Sequence, residues 1–183
     1  MLEPLAWDVL HNGIAGDFIE AGVYKGGISV HMEALLHAFY TLRGATAHAP
    51  RERVRTPEGG KVHGGFEEKG AEGDVLRQVR FLPGFFNETL HTIPPGSSFA
   101  LIRADSDMFV SIYETLDALY PRLSVGGYIV FDDWKFLQSR AAILTYRRNM
   151  NITSPMWSSH QRGSPPFHTI DPMAFWHKSA LTG

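Results

Sequence analysis

The stretch Gly16-Asp-Phe-Ile-Glu-Ala-Gly-Val-Tyr-Lys-Gly-Gly27, running on into Ile28-Ser-Val-His-Met-Glu-Ala-Leu-Leu-His-Ala-Phe39, decides the fold. Phe18, Ile19, Ala21 and Val23 form a short apolar run that glycines interrupt at once. From Ile28 onward the apolar residues are Met32, Leu35, Leu36 and Phe39, at spacings of 4, 7, 8 and 11. Those spacings mark one face of a helix, whereas the preceding run has the length of a buried strand. The segment therefore reads as strand, glycine-rich turn and helix, with Ser29 in the first helical turn.

Working outward, the same rhythm returns. Val79-Arg-Phe-Leu-Pro83 is a short strand candidate, and Phe99-Ala-Leu-Ile-Arg-Ala-Asp105 is another, preceded by the turn Pro94-Pro95-Gly96. Phe109, Ile112, Tyr113, Leu116, Leu119 and Tyr120 repeat at helical spacing, and Pro121 ends that helix. Tyr128-Ile-Val-Phe-Asp-Asp133 is a further apolar run closing in acid, and a helix near Phe136–Met150 follows it. Two weak strands, near Met156–Ser159 and Ala174–His177, leave no room for a helix between them and predict an antiparallel hairpin at the sheet edge. Short, nearly continuous apolar strands alternating with amphipathic helices predict an α/β doubly wound, mostly parallel sheet covered on both faces.

One segment breaks the rhythm. Residues 44–74 hold 7 of the 18 glycines and 11 charged residues, with only Val54, Val62 and Phe66 as large apolar side chains. Such a stretch buries too little apolar surface to offset its ordering entropy, and it reads as a disordered or aberrant insert within a single domain spanning 1–183.

Composition removes several function classes. The 183 residues include no Cys, which excludes disulfide scaffolds, thiolate zinc sites, Fe–S clusters and cysteine nucleophiles. Seventeen basic against 19 acidic residues give no electrostatic footprint for nucleic acid. No apolar run approaches the roughly 18 residues that span a bilayer, and the start Met1-Leu-Glu-Pro-Leu-Ala-Trp7 lacks the pattern of a signal peptide. The expectation is a cytoplasmic domain with neither nucleic acid nor membrane as partner; oligomeric state is left open, a homo-oligomer included.

Ligands of open α/β sheets bind outside the carboxyl ends of the strands. Three features fall on that edge: the turn Glu20–Gly27, Asp105 with Asp107, and Asp132 with Asp133. The turn, with Gly22, Gly26 and Gly27, is neither the dinucleotide fingerprint nor a P-loop, but it permits positive φ and close approach of backbone to a ligand. Glu20 could accept hydrogen bonds from a cationic or hydroxyl-bearing group, or stand as an exposed charge beside an ordinary turn. Asp105, Asp132 and Asp133 end strands that are consecutive in sequence; as neighbours their carboxylates would repel one another unless protons or a cation intervened. Oxygen-only ligands favour a hard divalent ion, Mg²⁺ first. The plainer alternative is that these aspartates cap the helices that follow. No histidine has a metal-ligand spacing, and no G-x-S-x-G motif is present.

Several of these segments resemble the macrocin O-methyltransferase family. Gly16–Gly27 resembles its cofactor-binding turn, and Val79-Arg-Phe-Leu-Pro-Gly-Phe-Phe-Asn-Glu-Thr-Leu90 its third-strand segment. Ala104-Asp-Ser-Asp-Met-Phe-Val-Ser111 and Leu119–Asp133 are similar to its metal-binding strands, and Ala174-Phe-Trp-His-Lys178 to its last strand. The resemblance covers roughly residues 13–43 and 79–178. It implies a Rossmann-like fold of the class I methyltransferase type and Mg²⁺-dependent methyl transfer from S-adenosylmethionine to a hydroxyl of a sugar or natural product. It further implies that Glu20, Gly22, Tyr24, Gly26, Gly27 and Ser29 bind the cofactor. Asp105, Asp132 and Asp133 would hold Mg²⁺, Asp105 and Asp132 acting in catalysis and Asp107 supporting them. The family usually carries Asp-Gly-Asp where this chain has Asp105-Ser-Asp107. It also has an apolar second strand ending in an acid that binds the cofactor ribose, and residues 44–74 present none. Two alternatives stand beside this reading. One is a methyltransferase-like domain that has lost its cofactor pocket; the other is a sugar-binding or glycosyl-transfer domain using Asp105 and Asp107.

Overall fold

A computed structural model describes residues 2–42, 53–55, 80–158 and 172–180. Its sheet has seven strands: β1 (Asp17–Ala21), β2 (Arg53–Arg55), β3 (Arg80–Leu82), β4 (Phe99–Ala104), β5 (Leu123–Phe131), β6 (Trp157–Ser158) and β7 (Ala174–His177). They lie in the order β3-β2-β1-β4-β5-β7-β6. The first five pair in parallel, while β7 runs antiparallel to both β5 and β6. Parallel strands need crossover segments, and α2 (Gly27–Leu42), α4 (Phe109–Leu119) and α5 (Leu137–Asn149) are the principal helices between strands. A one-turn helix, α3 (Phe86–Thr89), leads into a 3₁₀ turn at Leu90–Thr92.

Both faces of the sheet are packed. On one, Ile112, Leu116 and Leu119 of α4 and Ala142, Ile143 and Tyr146 of α5 bury Ile102, Ile129, Phe131 and Trp176. On the other, Met32, Leu35, Leu36 and Phe39 of α2 lie with Phe18, Leu101 and Val130. The helical face read from the 4, 7, 8 and 11 spacings is therefore the buried one. A helix not anticipated from the sequence, α1 (Leu2–His11), joins this second layer. Its Leu2, Leu5, Ala6, Val9 and Leu10 are buried at helical intervals, and Trp7 meets Phe39 edge-on with ring centroids 5.6 Å apart. Pro4 sits in the first turn, where its missing N–H breaks no helical bond.

The second-strand expectation needs correction. Residues 44–74 were expected to offer no strand, yet Arg53–Arg55 fills that slot, pairing in parallel with β1 on one side and β3 on the other. Three residues flanked on both sides gain ladder hydrogen bonds without an apolar run of their own, so composition passed over them. The rest of 44–74 lies outside the described residues. The edge hairpin is present as expected, β6 and β7 pairing Trp157 with Phe175 and Ser158 with Ala174.

Candidate functional site

The carboxyl ends of β1, β4 and β5 meet at one place. The register sets Glu20 beside Arg103 and Ala21 beside Ala104, then Arg103 beside Val130 and Ala104 beside Phe131. Side chains alternate along a strand, so Glu20, Arg103, Asp105 and Asp132 project toward the same face. Phe18, Leu101 and Val130, which share that parity, pack in the layer with α2. The strand ends are tied by Asp105 N–H donating to the carbonyl of Ala21 at 2.8 Å and Asp132 N–H to that of Ala104 at 3.3 Å.

Arg103 is the hub of this edge. It is 5% exposed, in a strand whose other residues, Phe99, Ala100, Leu101, Ile102 and Ala104, are all buried and apolar. Its Nη1 donates to Oε1 of Glu20, and its Nη2 is shared between Oδ2 of Asp132 and Oδ2 of Asp105, the latter at 2.9 Å. Glu20, 1% exposed, also accepts from the Ser29 hydroxyl in the first turn of α2. The alternative of Glu20 as an exposed charge is thus removed. Arg103 was not singled out from the sequence, although a signal existed. A charged residue inside an apolar central strand is almost never buried without partners, and Glu20 in the neighbouring strand could supply one.

The electrostatics follow from this crowding. Burial pushes the Glu20 carboxyl up to about 7, against the pull of Arg103 and the Ser29 hydroxyl. Burial also raises Asp132, with Arg103 opposing. Asp133 is pushed up to about 7 by burial together with the charges of Asp105, Asp107 and Asp132. Burial would lower the Arg103 guanidinium, but Asp132, Glu20 and Asp105 more than reverse it and hold its proton firmly.

The turn after β1 has the conformation its glycines allow. Gly22 lies at φ +95°, Tyr24 at +45° and Gly26 at +77°. A Cβ at Gly22 would collide with the backbone carbonyl of Asp105, so this turn and the end of β4 touch through backbone alone. Gly26 N–H closes the turn on the carbonyl of Val23 at 2.8 Å, and Gly27 begins α2. Tyr24 is 77% exposed, its ring 5.3 Å from Nζ of Lys25. The turn thus combines a cradle that a Cβ would fill with a buried acceptor, Glu20, at its base. Such a site suits the amino-acid end of a cofactor.

The aspartates can be tested for a cation in the same way. Among the described residues, Oδ1 of Asp132 and Oδ2 of Asp133 are buried without a hydrogen-bond partner. Orphaned carboxylate oxygens are costly, and a hard cation satisfies them. Those two oxygens are what the aspartates offer such an ion. Among the described residues, however, no three His, Cys, Asp or Glu side chains stand arranged as a ligand shell, and Arg103 lies between Asp105 and Asp132. Asp107 is exposed beside this group. Among the described residues no helix is long and apolar enough to cross a membrane.

Comparison with known proteins places the chain in a family. A family model described as Macrocin-O-methyltransferase (TylF) matches residues 1–46 and 43–164. The chain is 36% identical over 171 residues to the 8-demethyl-8-(2,3-dimethoxy-alpha-L-rhamnosyl)-tetracenomycin-C 4'-O-methyltransferase of Streptomyces olivaceus. It is 32% identical over 171 residues to the demethyldecarbamoylnovobiocin O-methyltransferase of Streptomyces niveus. Each match covers 81% of this chain and 64% of the relative, so the chain spans somewhat under two thirds of their length. The structure of the O-methyltransferase NovP superposes with a TM-score of 0.74 at 27% identity, covering 97% of this chain and 78% of that one.

Proposed function

The chain belongs to the macrocin O-methyltransferase family, and on that premise we propose that it transfers a methyl group from S-adenosylmethionine to a hydroxyl of a sugar or natural product, with Mg²⁺ as accessory cation. The observation that carries this reading is the juxtaposition of two parts at one strand edge. One is the Gly22 cradle with buried Glu20; the other is the aspartate cluster, with its two orphaned buried oxygens. Support for the acceptor comes from relatives named for a rhamnosyl tetracenomycin and a demethyldecarbamoylnovobiocin.

In this reading Glu20, oriented by Ser29 and Arg103, accepts from donors at the amino-acid end of the cofactor, while Gly22, Tyr24, Gly26 and Gly27 bring the turn backbone against it. Asp105, Asp132 and Asp133 would hold Mg²⁺. Bound there, the ion would supply Lewis acidity that lowers the pKa of an acceptor hydroxyl. Asp105 and Asp132 would carry the catalytic role by holding that ion beside the acceptor hydroxyl. Cytoplasmic residence, a small hydroxylated acceptor and no nucleic-acid partner complete the proposal.

One observation favours a second reading, a methyltransferase-like domain that has lost its cofactor pocket. The described second strand reads Arg53-Val54-Arg55, with no acid in the strand that would serve the ribose. Calorimetric titration with S-adenosylmethionine, paired with transfer of its labelled methyl group to deoxysugar-bearing natural products, separates the two. The enzyme reading expects binding and transfer that needs Mg²⁺ and falls at least about 100-fold in Asp132→Ala. No heat at millimolar cofactor removes the first reading and leaves the second; transfer to an acceptor, or cofactor binding that Asp132→Ala abolishes, excludes the second.

A further inference from the structure

We propose that the exposed apolar residues Phe85, Met108 and Phe136, at the starts of α3, α4 and α5, form the docking rim for an uncharged aromatic aglycone. The acceptor is then a sugar already joined to that aglycone, not a sugar carried on a nucleoside diphosphate. This rests on the methyltransferase reading and deepens it by naming the acceptor's class; the reaction that supplies such an acceptor is a glycosyl transfer.

The three helices follow β3, β4 and β5, so each begins at the carboxyl edge of the sheet. All three cover the same face, with α4 packed against both of the others. Their N-terminal caps are Phe85, Met108 and Phe136, none with a side-chain capping bond. Ser, Thr, Asp and Asn stabilise such positions, and apolar residues do not. Asp107 directly precedes Met108 and Asp133 stands close before Phe136, yet neither takes the cap. Three neighbouring helices thus forgo a cap at one edge, and the side chains there are 52%, 53% and 42% exposed. Phe109 and Leu137, the next residues along, are exposed as well. Single exposed apolar residues are ordinary, but a row of them at one edge marks a contact surface.

Continuity and charge select what covers this row. It starts where the strand-end acids Asp105, Asp107, Asp132 and Asp133 stop, so an acceptor with its hydroxyl over the strand ends extends its remaining body across the starts of α4 and α5. Those acids stand against Lys135, whose Nζ rests 4.9 Å from the Phe136 ring centroid, and Arg103, which is buried and bound to carboxylates. A diphosphate would bring further negative charge to an edge already acidic, whereas a neutral aromatic body brings none. Aromatic and thioether side chains pack such a body through its ring face or edge. Covering an aromatic group in this way is worth on the order of 10- to 100-fold in affinity.

The test compares three derivatives of L-rhamnose: the 4-methylumbelliferyl glycoside, the methyl glycoside and the thymidine diphosphate ester. Their binding is measured by calorimetry on protein saturated with S-adenosylhomocysteine, for wild type and for the double variant Met108→Ser, Phe136→Ser. Wild type should bind the aryl glycoside at least about tenfold more tightly than either of the others. The double variant should lose that preference to within about twofold. Because serine is the better cap, its thermal midpoint should fall by no more than about 2 °C. Near-UV circular dichroism checks the fold, and Phe136→Ser alone carries the comparison if the double variant is unfolded. A smaller preference in wild type, an undiminished one in a folded variant, or tightest binding of the diphosphate sugar overturns the proposal. A wild-type dimer in sedimentation that the double substitution dissociates makes the row an interface between copies and overturns it too. Methyl transfer without the aryl preference refutes the aglycone assignment alone; no heat with S-adenosylhomocysteine or S-adenosylmethionine refutes the methyltransferase reading and the assignment with it.

Discussion

At Gly22 the chain turns at φ +95° and passes so close to Asp105 that a Cβ would collide with its carbonyl. A left-handed conformation costs a residue with a side chain roughly 1–2 kcal/mol, and the collision adds to it by pushing β1 and β4 apart. Gly22→Ala is expected to destabilise the fold by at least about 2 kcal/mol in denaturant unfolding. Gly96→Ala, with open space around its Cβ and no positive φ, should stay within about 0.5 kcal/mol. Similar losses for both would show that the close approach does not matter. The sequence carried half of this: three glycines after a strand indicate a turn, but only Gly22 is pressed against a second strand. Arg103 is a parallel case. Its presence in an apolar strand was visible, whereas its three partners come from positions 20, 105 and 132 and meet only because the registers align.

Among the elements, β1, α2, β4, α4, β5 and α5 follow from periodicity, because each has an apolar run or stripe long enough to define its own period, while the edge hairpin follows from the short gap between its strands. α1 and β2 follow from neither. α1 carries a helical stripe, but Leu2, Leu5, Ala6 and Val9 become informative once α2 offers a surface for them. β2 is too short to have a period and is held by neighbours on either side. Val54→Pro probes that dependence, since proline removes the backbone N–H of a strand paired on both edges. The expected result is a loss of about 3 kcal/mol or more in denaturant unfolding, with faster hydrogen exchange in β1. An unchanged unfolding midpoint would mean that Arg53–Arg55 contributes nothing to the sheet.

For the molecule as a whole, the buried acids make stability depend on pH. Folding raises the Glu20 carboxyl from 4.5 to about 7, so the folded state favours the protonated form. The stability contributed by that proton is complete below about 4.5 and is lost as pH rises through about 7. Glu20→Gln keeps the shape and removes the titration. Its unfolding free energy relative to wild type should therefore improve from pH 5 to pH 8 in chelator, by an amount on the order of 1–3 kcal/mol. A difference that stays constant across that range would contradict the assignment.

The order of elements, the doubly wound class and the clustering of Glu20, Asp105, Asp132 and Asp133 at strand ends were determined by the chain alone. Apolar periodicity and glycine placement are local properties, and parallel sheets send strand ends to one edge. The tertiary structure decided what no local pattern encodes: the closing of α1 over α2, the short central β2, and the buried Arg103 that draws Glu20 and the aspartates into one cluster. Each depends on a partner distant in sequence. The energy that fixes them, whether ladder hydrogen bonds or the pairing of a desolvated charge, exists only once that partner is in place.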